Sequence, residues 1–342
     1  MLTKHFSNKS ALESGTWVKL ICGASNEDLP AITDLCAVYG AAGVHCVDVA
    51  ADIAVVAAAK DGLKWVENNL GTKPWLMISV SDGKDIHFRK ASFDPAVCPK
   101  ECSRPCLKIC PANAISKTLG VNEDLCYGCG RCLPACPLEL IQEKNNLLEI
   151  KDFGELVSKV KPDAVEIHTA PGRIREFESS VKAILQSKVK LKRIAVSCGI
   201  EGHGINQYEL SQELWSRYKC LRRYNQKPIW QLDGRPMSGD LGIGTAKAAI
   251  LLLEKIQALA PPGPLQLAGG TNEKSINHIK NNHCLAGIAF GGVARKLIQP
   301  FLIEAKKQNK KLIECPEAFD QAIKMAKILI NPWLRKRSRK NY

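Results

Sequence analysis

Several things are scarce in this chain, and each scarcity removes a class of protein. No apolar run approaches the ~18 residues a membrane span needs; the longest, such as Ile53 to Ala59 and Ala248 to Leu253, are far shorter. The first residues, MLTKHFSNKSALESGTW, hold no apolar block of signal-peptide type, so a cytoplasmic protein is expected. Aromatic residues make up only 6% of the chain, and no nucleic-acid-binding motif accompanies its positive charge. There is no glycine-rich nucleotide loop ending in Gly-Lys-Ser or Gly-Lys-Thr. Acidic residues are the minority charge, 34 against 48 Lys and Arg, for a formal net charge of +14. With 45% hydrophobic residues the composition is that of a globular protein, which excludes disorder and collagen-like structure.

Cysteine, by contrast, is abundant. The chain has 15, and eight of them crowd between Cys98 and Cys136. In a reducing compartment such a cluster reads first as metal ligands. The segment Cys126-Tyr127-Gly128-Cys129-Gly130-Arg131-Cys132-Leu133-Pro134-Ala135-Cys136-Pro137 has the spacing C-x2-C-x2-C-x3-C-P. Thiolates so spaced wrap three ligands around one iron–sulfur cluster and send the fourth to a second cluster. Zinc needs only four ligands and rarely uses this triplet. An earlier quartet, Cys98, Cys102, Cys106 and Cys110, is followed by Pro111 and has two gaps one residue longer than the ferredoxin spacing. Crossed ligation then predicts Cys98, Cys102, Cys106 and Cys136 on one cluster, and Cys110, Cys126, Cys129 and Cys132 on the other. The longer gaps leave open a three-iron [3Fe-4S] cluster in place of [4Fe-4S] at the first site, or one non-ligating cysteine there. Arg104, Lys108 and Arg131 lie close enough to favour the reduced clusters, or are solvated surface charges. The other seven cysteines carry no ligand spacing.

Outside the module, apolar segments with strand character alternate with helical periodicity. Strands are expected over 19–23, 45–49, 75–80, 164–168, 193–197, 228–232, 265–268 and 287–290. Helices are expected over 29–39, 153–160, 175–185, 208–223 and 245–259. Eight strand–helix repeats predict an α/β (β/α)8 barrel of the TIM type, residues 1–80 and 151–330, with residues 81–150 inserted as a ferredoxin-like unit. An open doubly wound sheet is the alternative. Residues 331–342 form a basic tail containing Arg335, Lys336, Arg337, Arg339 and Lys340, and Lys306, Lys307, Lys310 and Lys311 form a second basic group. Both suit solvent or an acidic protein partner better than nucleic acid.

Strands seven and eight run into Gly269-Gly270 and Gly291-Gly292, with Arg295 shortly after. Loops at these two positions are where barrel enzymes hold phosphate, so FMN or a sugar phosphate could bind there; simple tight turns are the other reading. The segment Gly239-x2-Gly242-x-Gly244 is a weaker glycine pattern. Asp48, Asp52, Glu166, His168, Asp233 and Arg235 fall near strand ends, as rim caps and networks or, for Glu166 and His168, as an acid–base pair.

The stretch WVKLICGASNEDLPAITDLCAVYGAAGVHCVDVAAD (17–52) resembles the light-dependent period protein A family of cyanobacteria, and CPKECSRPCLKICPANAI (98–115) is similar to that family's first cysteine segment, longer gaps included. The resemblance implies an iron–sulfur protein with four-iron and three-iron clusters. It also implies a role reporting redox state or light to the circadian clock, with clock proteins as partners. Two other functions compete with redox sensing: a flavin-dependent barrel oxidoreductase, and a plain carrier exchanging electrons with redox partners.

Overall fold

The computed structural model describes residues 8–235 and 243–335. Eight parallel strands close on themselves: β1 (Trp17–Gly23), β2 (Cys46–Ala50), β3 (Trp75–Ser81), β4 (Ala164–His168), β5 (Arg193–Cys198), β6 (Pro228–Asp233), β7 (Leu265–Ala268) and β8 (Gly287–Phe290). Each pairs with its neighbours in this order, and β8 returns to β1 in the register Trp17↔Gly287 to Leu20↔Phe290. The expected (β/α)8 barrel is therefore present, and the open sheet is not. Closure depends on a missing side chain: a Cβ on Gly287 would stand 2.1 Å from the Trp17 carbonyl oxygen.

Helix α1 (Asn8–Ser14) precedes β1, and α2 (Leu29–Ala42), α3 (Ile53–Leu70), α4 (Phe153–Val160), α5 (Ile174–Gln186), α6 (Gln207–Arg223), α7 (Ala246–Ile256), α8 (Gly292–Lys307) and α9 (Pro316–Leu334) surround the sheet. Asp52 caps α3, accepting from the Ala54 and Val55 amides at 2.8 and 2.9 Å, so it serves the helix rather than the barrel mouth. The helix expected over 245–259 is shorter at both ends. Thr245 donates to the Gly270 carbonyl at 2.7 Å, and the Leu259 and Ala260 amides both fold back on the Ile256 carbonyl. Helix α9 continues through Leu334 and buries Trp333, across the boundary expected at residue 331. Lys336, Arg337, Arg339, Lys340, Gly239 and Gly242 lie outside the described residues, while Lys306, Lys307, Lys310 and Lys311 are exposed. Among the described residues no helix is long and apolar enough to cross a membrane.

Side chains alternate between the sheet's outer face and the barrel interior. Outward residues such as Leu20, Val47, Ile78, Val165, Val196, Trp230 and Leu267 pack under the helices as the main core. Inside, the bottom layer is apolar: Trp17, Cys46, Trp75, Met77, Ala164, Ala195 and Ile229, plugged by Ala11 and Leu12 of α1. The next inward positions are polar and almost fully buried: Lys19, Asp48, Glu166, Gln231 and Gln266. Barrel interiors are usually filled by branched apolar side chains; this one carries a charged middle layer.

Between β3 and α4 the chain leaves the barrel's C-terminal rim and builds a small unit. An antiparallel ribbon pairs Arg89–Ser92 with Gln142–Asn145, and a shorter one pairs Ile115–Ser116 with Gly120–Val121. Ala91, Cys106, Ala114, Ile115, Cys126, Cys132 and Ile141 form its separate core. The Lys90 ammonium meets Glu27 at 2.7 Å, and the Ser25 hydroxyl donates to the His87 carbonyl at 2.8 Å, tying the unit to the loop after β1.

Candidate functional site

Two cysteine quartets gather around two cavities in this unit. Cys98, Cys102, Cys106 and Cys136 line one, with Phe93, Leu140 and Ile141 around them. Cys110, Cys126, Cys129 and Cys132 line the other. The partition is the crossed one expected from the spacing. The short helices Pro105–Ile109 and Cys132–Ala135 each bring cysteines to both ends of one turn. Backbone amides aim at the sulfurs: Arg104 N–H at Cys102 Sγ (3.4 Å), Ala114 N–H at Cys110 Sγ (3.2 Å) and Ala91 N–H at Cys126 Sγ (3.4 Å).

The loop between Cys126 and Cys132 is as tight as its glycines suggest. Gly128 and Gly130 have φ of 71° and 74°, in the region side chains disfavour. A Cβ on either would lie 2.1 Å from an Arg89 atom, the carbonyl oxygen for Gly128 and Nη2 for Gly130. Arg89 runs along this loop, donating from Nε to the Gly128 carbonyl at 3.0 Å and pairing with Glu143 at 2.9 Å. Burial, and then the Cys129, Cys126 and Cys110 sulfurs, push the Cys132 thiol up to about 12. Two sets of four crowded sulfurs, with amides aimed at three of the eight, suit iron–sulfur clusters, whose net negative charge such donors offset. Among the nearby cations, Arg131 acts on Cys129, Arg104 reaches the Lys117 carbonyl at 3.4 Å, and Lys108 is exposed.

The same Cys129 also faces a different space. A pocket partly open to solvent lies at the barrel mouth, lined by Gly269, Gly270, Gly291, Gly292 and Arg295 together with Tyr127 and Cys129. All five residues of the expected phosphate region thus meet there, beside the second cysteine cavity. The Arg295 guanidinium stacks 4.3 Å from the Tyr127 ring centroid, and its Nη1 donates to the Ile21 carbonyl at 3.0 Å.

Below the pocket lies the polar layer. The Lys19 ammonium bridges Asp48, at 3.0 Å, and Glu166. Burial opposes a charged Lys19, but Asp48 and Glu166 outweigh it and hold the ammonium protonated above its usual range. Burial likewise opposes ionised Glu166, yet Lys19 and His168 bring it down to about 2. Glu166 Oε1 accepts from the Gln231 amide at 2.7 Å and meets His168 Nε2 at 3.1 Å. Glu166 and His168 do share a face, as expected, and the face is inward. Asp233 accepts from Ser197, whereas Arg235 is exposed and pairs with Glu201 at 3.5 Å. Sequence reasoning missed Lys19 and Arg89; no spacing singles out either.

The geometry defines an iron–sulfur protein with ferredoxin-like cysteine quartets inserted in a TIM-type barrel. A family model for the light dependent period A C-terminal domain matches residues 156–332, and one for the LdpA Fe-S cluster-binding domain matches residues 98–147. "Light dependent period A" of Synechococcus elongatus is 40% identical over 331 residues, covering 94% of this chain and 92% of that protein. The chain belongs to the light dependent period A family. An uncharacterized ferredoxin of Methanocaldococcus jannaschii is 41% identical over 59 residues, 16% of this chain and 36% of that one. Among solved structures, the YdjI aldolase from Escherichia coli K12 aligns over 99% of both chains with a TM-score of 0.46 and 8% identity.

Proposed function

We propose that this protein is a cytoplasmic redox sensor in an input pathway to the circadian clock, coupling cellular redox state or light intensity to clock period. The observation that carries the reading is the pair of thiol quartets around two cavities of the inserted unit, in a chain akin to a protein named for light-dependent period. Cys98, Cys102, Cys106 and Cys136 would hold a [4Fe-4S] or [3Fe-4S] cluster, and Cys110, Cys126, Cys129 and Cys132 a [4Fe-4S] cluster. Such clusters supply reversible one-electron chemistry. The protein's own part is to set their environment. Arg89 and Arg131 supply positive charge beside the second quartet, and the Ala91, Ala114 and Arg104 amides donate to sulfur. The barrel, residues 1–80 and 151–330, carries the unit of residues 81–150 and offers the larger surface to clock proteins as partners. Redox carriers would exchange electrons at the exposed side of the unit.

The deciding experiment is spectroscopy on anaerobically purified protein, with and without dithionite, alongside iron and acid-labile sulfide counts. Two reducible clusters are expected. Absence of any reducible iron–sulfur signal overturns the reading.

A second reading, a flavin-dependent barrel oxidoreductase with clusters that relay electrons, is favoured by one observation. The pocket formed by Gly269, Gly270, Gly291, Gly292 and Arg295 shares Cys129 with the second quartet. FMN would place its phosphate at those glycine amides. Release of stoichiometric flavin on denaturation would support this reading, and a flavin-free protein would reject it.

A further inference from the structure

The barrel rim carries a second set of donor groups that the cysteine chemistry does not use. Asp85 and His87 lie on the segment leaving β3, and His168 is the last residue of β4. One donor atom from each lies within 4.8 Å of the others. Asp85 Oδ1 is 2.7 Å from His87 Nδ1, and Asp85 Oδ2 is 3.8 Å from His168 Nδ1.

His168 is the informative member. Its side chain is only 7% exposed, and its Nδ1 is buried with no hydrogen-bond partner. At 3.8 Å, Asp85 Oδ2 makes a charge contact with that nitrogen rather than a hydrogen bond. The other ring nitrogen is fully engaged: Nε2 meets Glu166 at 3.1 Å, and Glu166 is itself held by Lys19 and by Gln231. An imidazole oriented by a carboxylate through one nitrogen, with the other nitrogen facing a second imidazole and a carboxylate, is the usual support of a metal-binding histidine. His87 and His168 also line the barrel-mouth pocket, so a metal there would keep coordination positions open to it.

We propose that Asp85, His87 and His168 form a mononuclear site for a divalent transition metal, separate from the cysteine quartets and opening into the barrel pocket. Two imidazoles and a carboxylate suit zinc and its first-row neighbours. Tetrahedral binding would draw the donor atoms to about 3.3 Å apart, given metal–ligand bonds of about 2.0–2.1 Å. Asp85 and His87 are partly exposed at 20% and 22%, so their side chains have room to turn inward. Only small molecules or water that enter the pocket would complete the coordination shell.

The test uses protein with its iron and sulfide in place. Holoprotein is given one equivalent of zinc anaerobically and dialysed, and zinc, iron and sulfide are then counted. A single retained zinc with unchanged iron is expected, and its X-ray absorption should show nitrogen and oxygen neighbours at about 2.0–2.1 Å, without the sulfur shell near 2.3 Å. Asp85→Asn and His87→Gln should each weaken zinc binding by about tenfold or more while leaving iron and sulfide unchanged. These two report even where the buried His168→Gln substitution impairs folding. Failure to retain zinc, a sulfur shell, loss of iron on zinc addition, or unaltered affinity in both variants overturns the proposal.

Discussion

The guanidinium of Arg295, on the first turn of α8, lies 4.3 Å from the ring centroid of Tyr127, which sits between two cysteines of the second quartet. The same side chain donates to the Ile21 carbonyl at the end of β1. One residue thus clasps the barrel to the cysteine loop. Arg295→Gln should lower stability by about 1–2 kcal/mol, the sum of a cation–π contact and a hydrogen bond, read as a shift in the denaturant midpoint. Iron and sulfide at purification should be unchanged, since no cysteine contact is lost.

The crossed partition of the quartets makes a prediction that sequence order alone would reverse. Cys110→Ser should disturb the signals of the site shared with Cys126, Cys129 and Cys132, and Cys136→Ser those of the site shared with Cys98, Cys102 and Cys106. Electron paramagnetic resonance of the two reduced variants separates these outcomes. If Cys110→Ser altered the same signals as Cys98→Ser, the ligation would be sequential and the partition wrong.

Gly128→Ala tests the tight loop. The new methyl would collide with the Arg89 carbonyl, at a backbone conformation only glycine adopts freely. Strain of about 1–3 kcal/mol is expected, falling on the second quartet, so iron content should drop while the first site's signals survive. Iron and sulfide assays on freshly purified protein check this. An alanine variant with full iron content would show that the loop can shift away from Arg89.

Lys19→Met probes the charged middle of the barrel. The substitution leaves Asp48 and Glu166 buried together without their shared cation. Removing one member of a buried ion pair typically costs 3–5 kcal/mol, so a loss of about 4 kcal/mol is expected in urea unfolding. Neutralising both carboxylates as well, with Asp48→Asn and Glu166→Gln, should restore part of the loss. A Lys19→Met protein as stable as the wild type would mean that one carboxylate takes up a proton at little cost.

The strands were readable because each is a short apolar segment flanked by turn residues, and none of their ends differs from expectation by more than two residues. The quartets were readable because cluster ligation imposes a spacing. The polar layer was not. Lys19, Asp48, Glu166, Gln231 and Gln266 come one from each of five strands, and only closure of the sheet brings them together. Arg89 was hidden for a related reason: it stands well before the loop it braces, and the ribbon that returns it there pairs residues far apart in sequence. Asp48 and Glu166 looked like rim residues because position along a strand does not reveal depth inside a barrel.

The pairing of Arg89–Ser92 with Gln142–Asn145 has a further consequence in polymer terms. The inserted unit leaves and returns at nearly the same point, so the barrel spans no wider a gap there than a tight crossover would. The ribbon absorbs the closure cost of a long excursion, a cost that grows only logarithmically with length. Lengthening or shortening the excursion beyond the ribbon should therefore leave the register of β3 and β4 untouched.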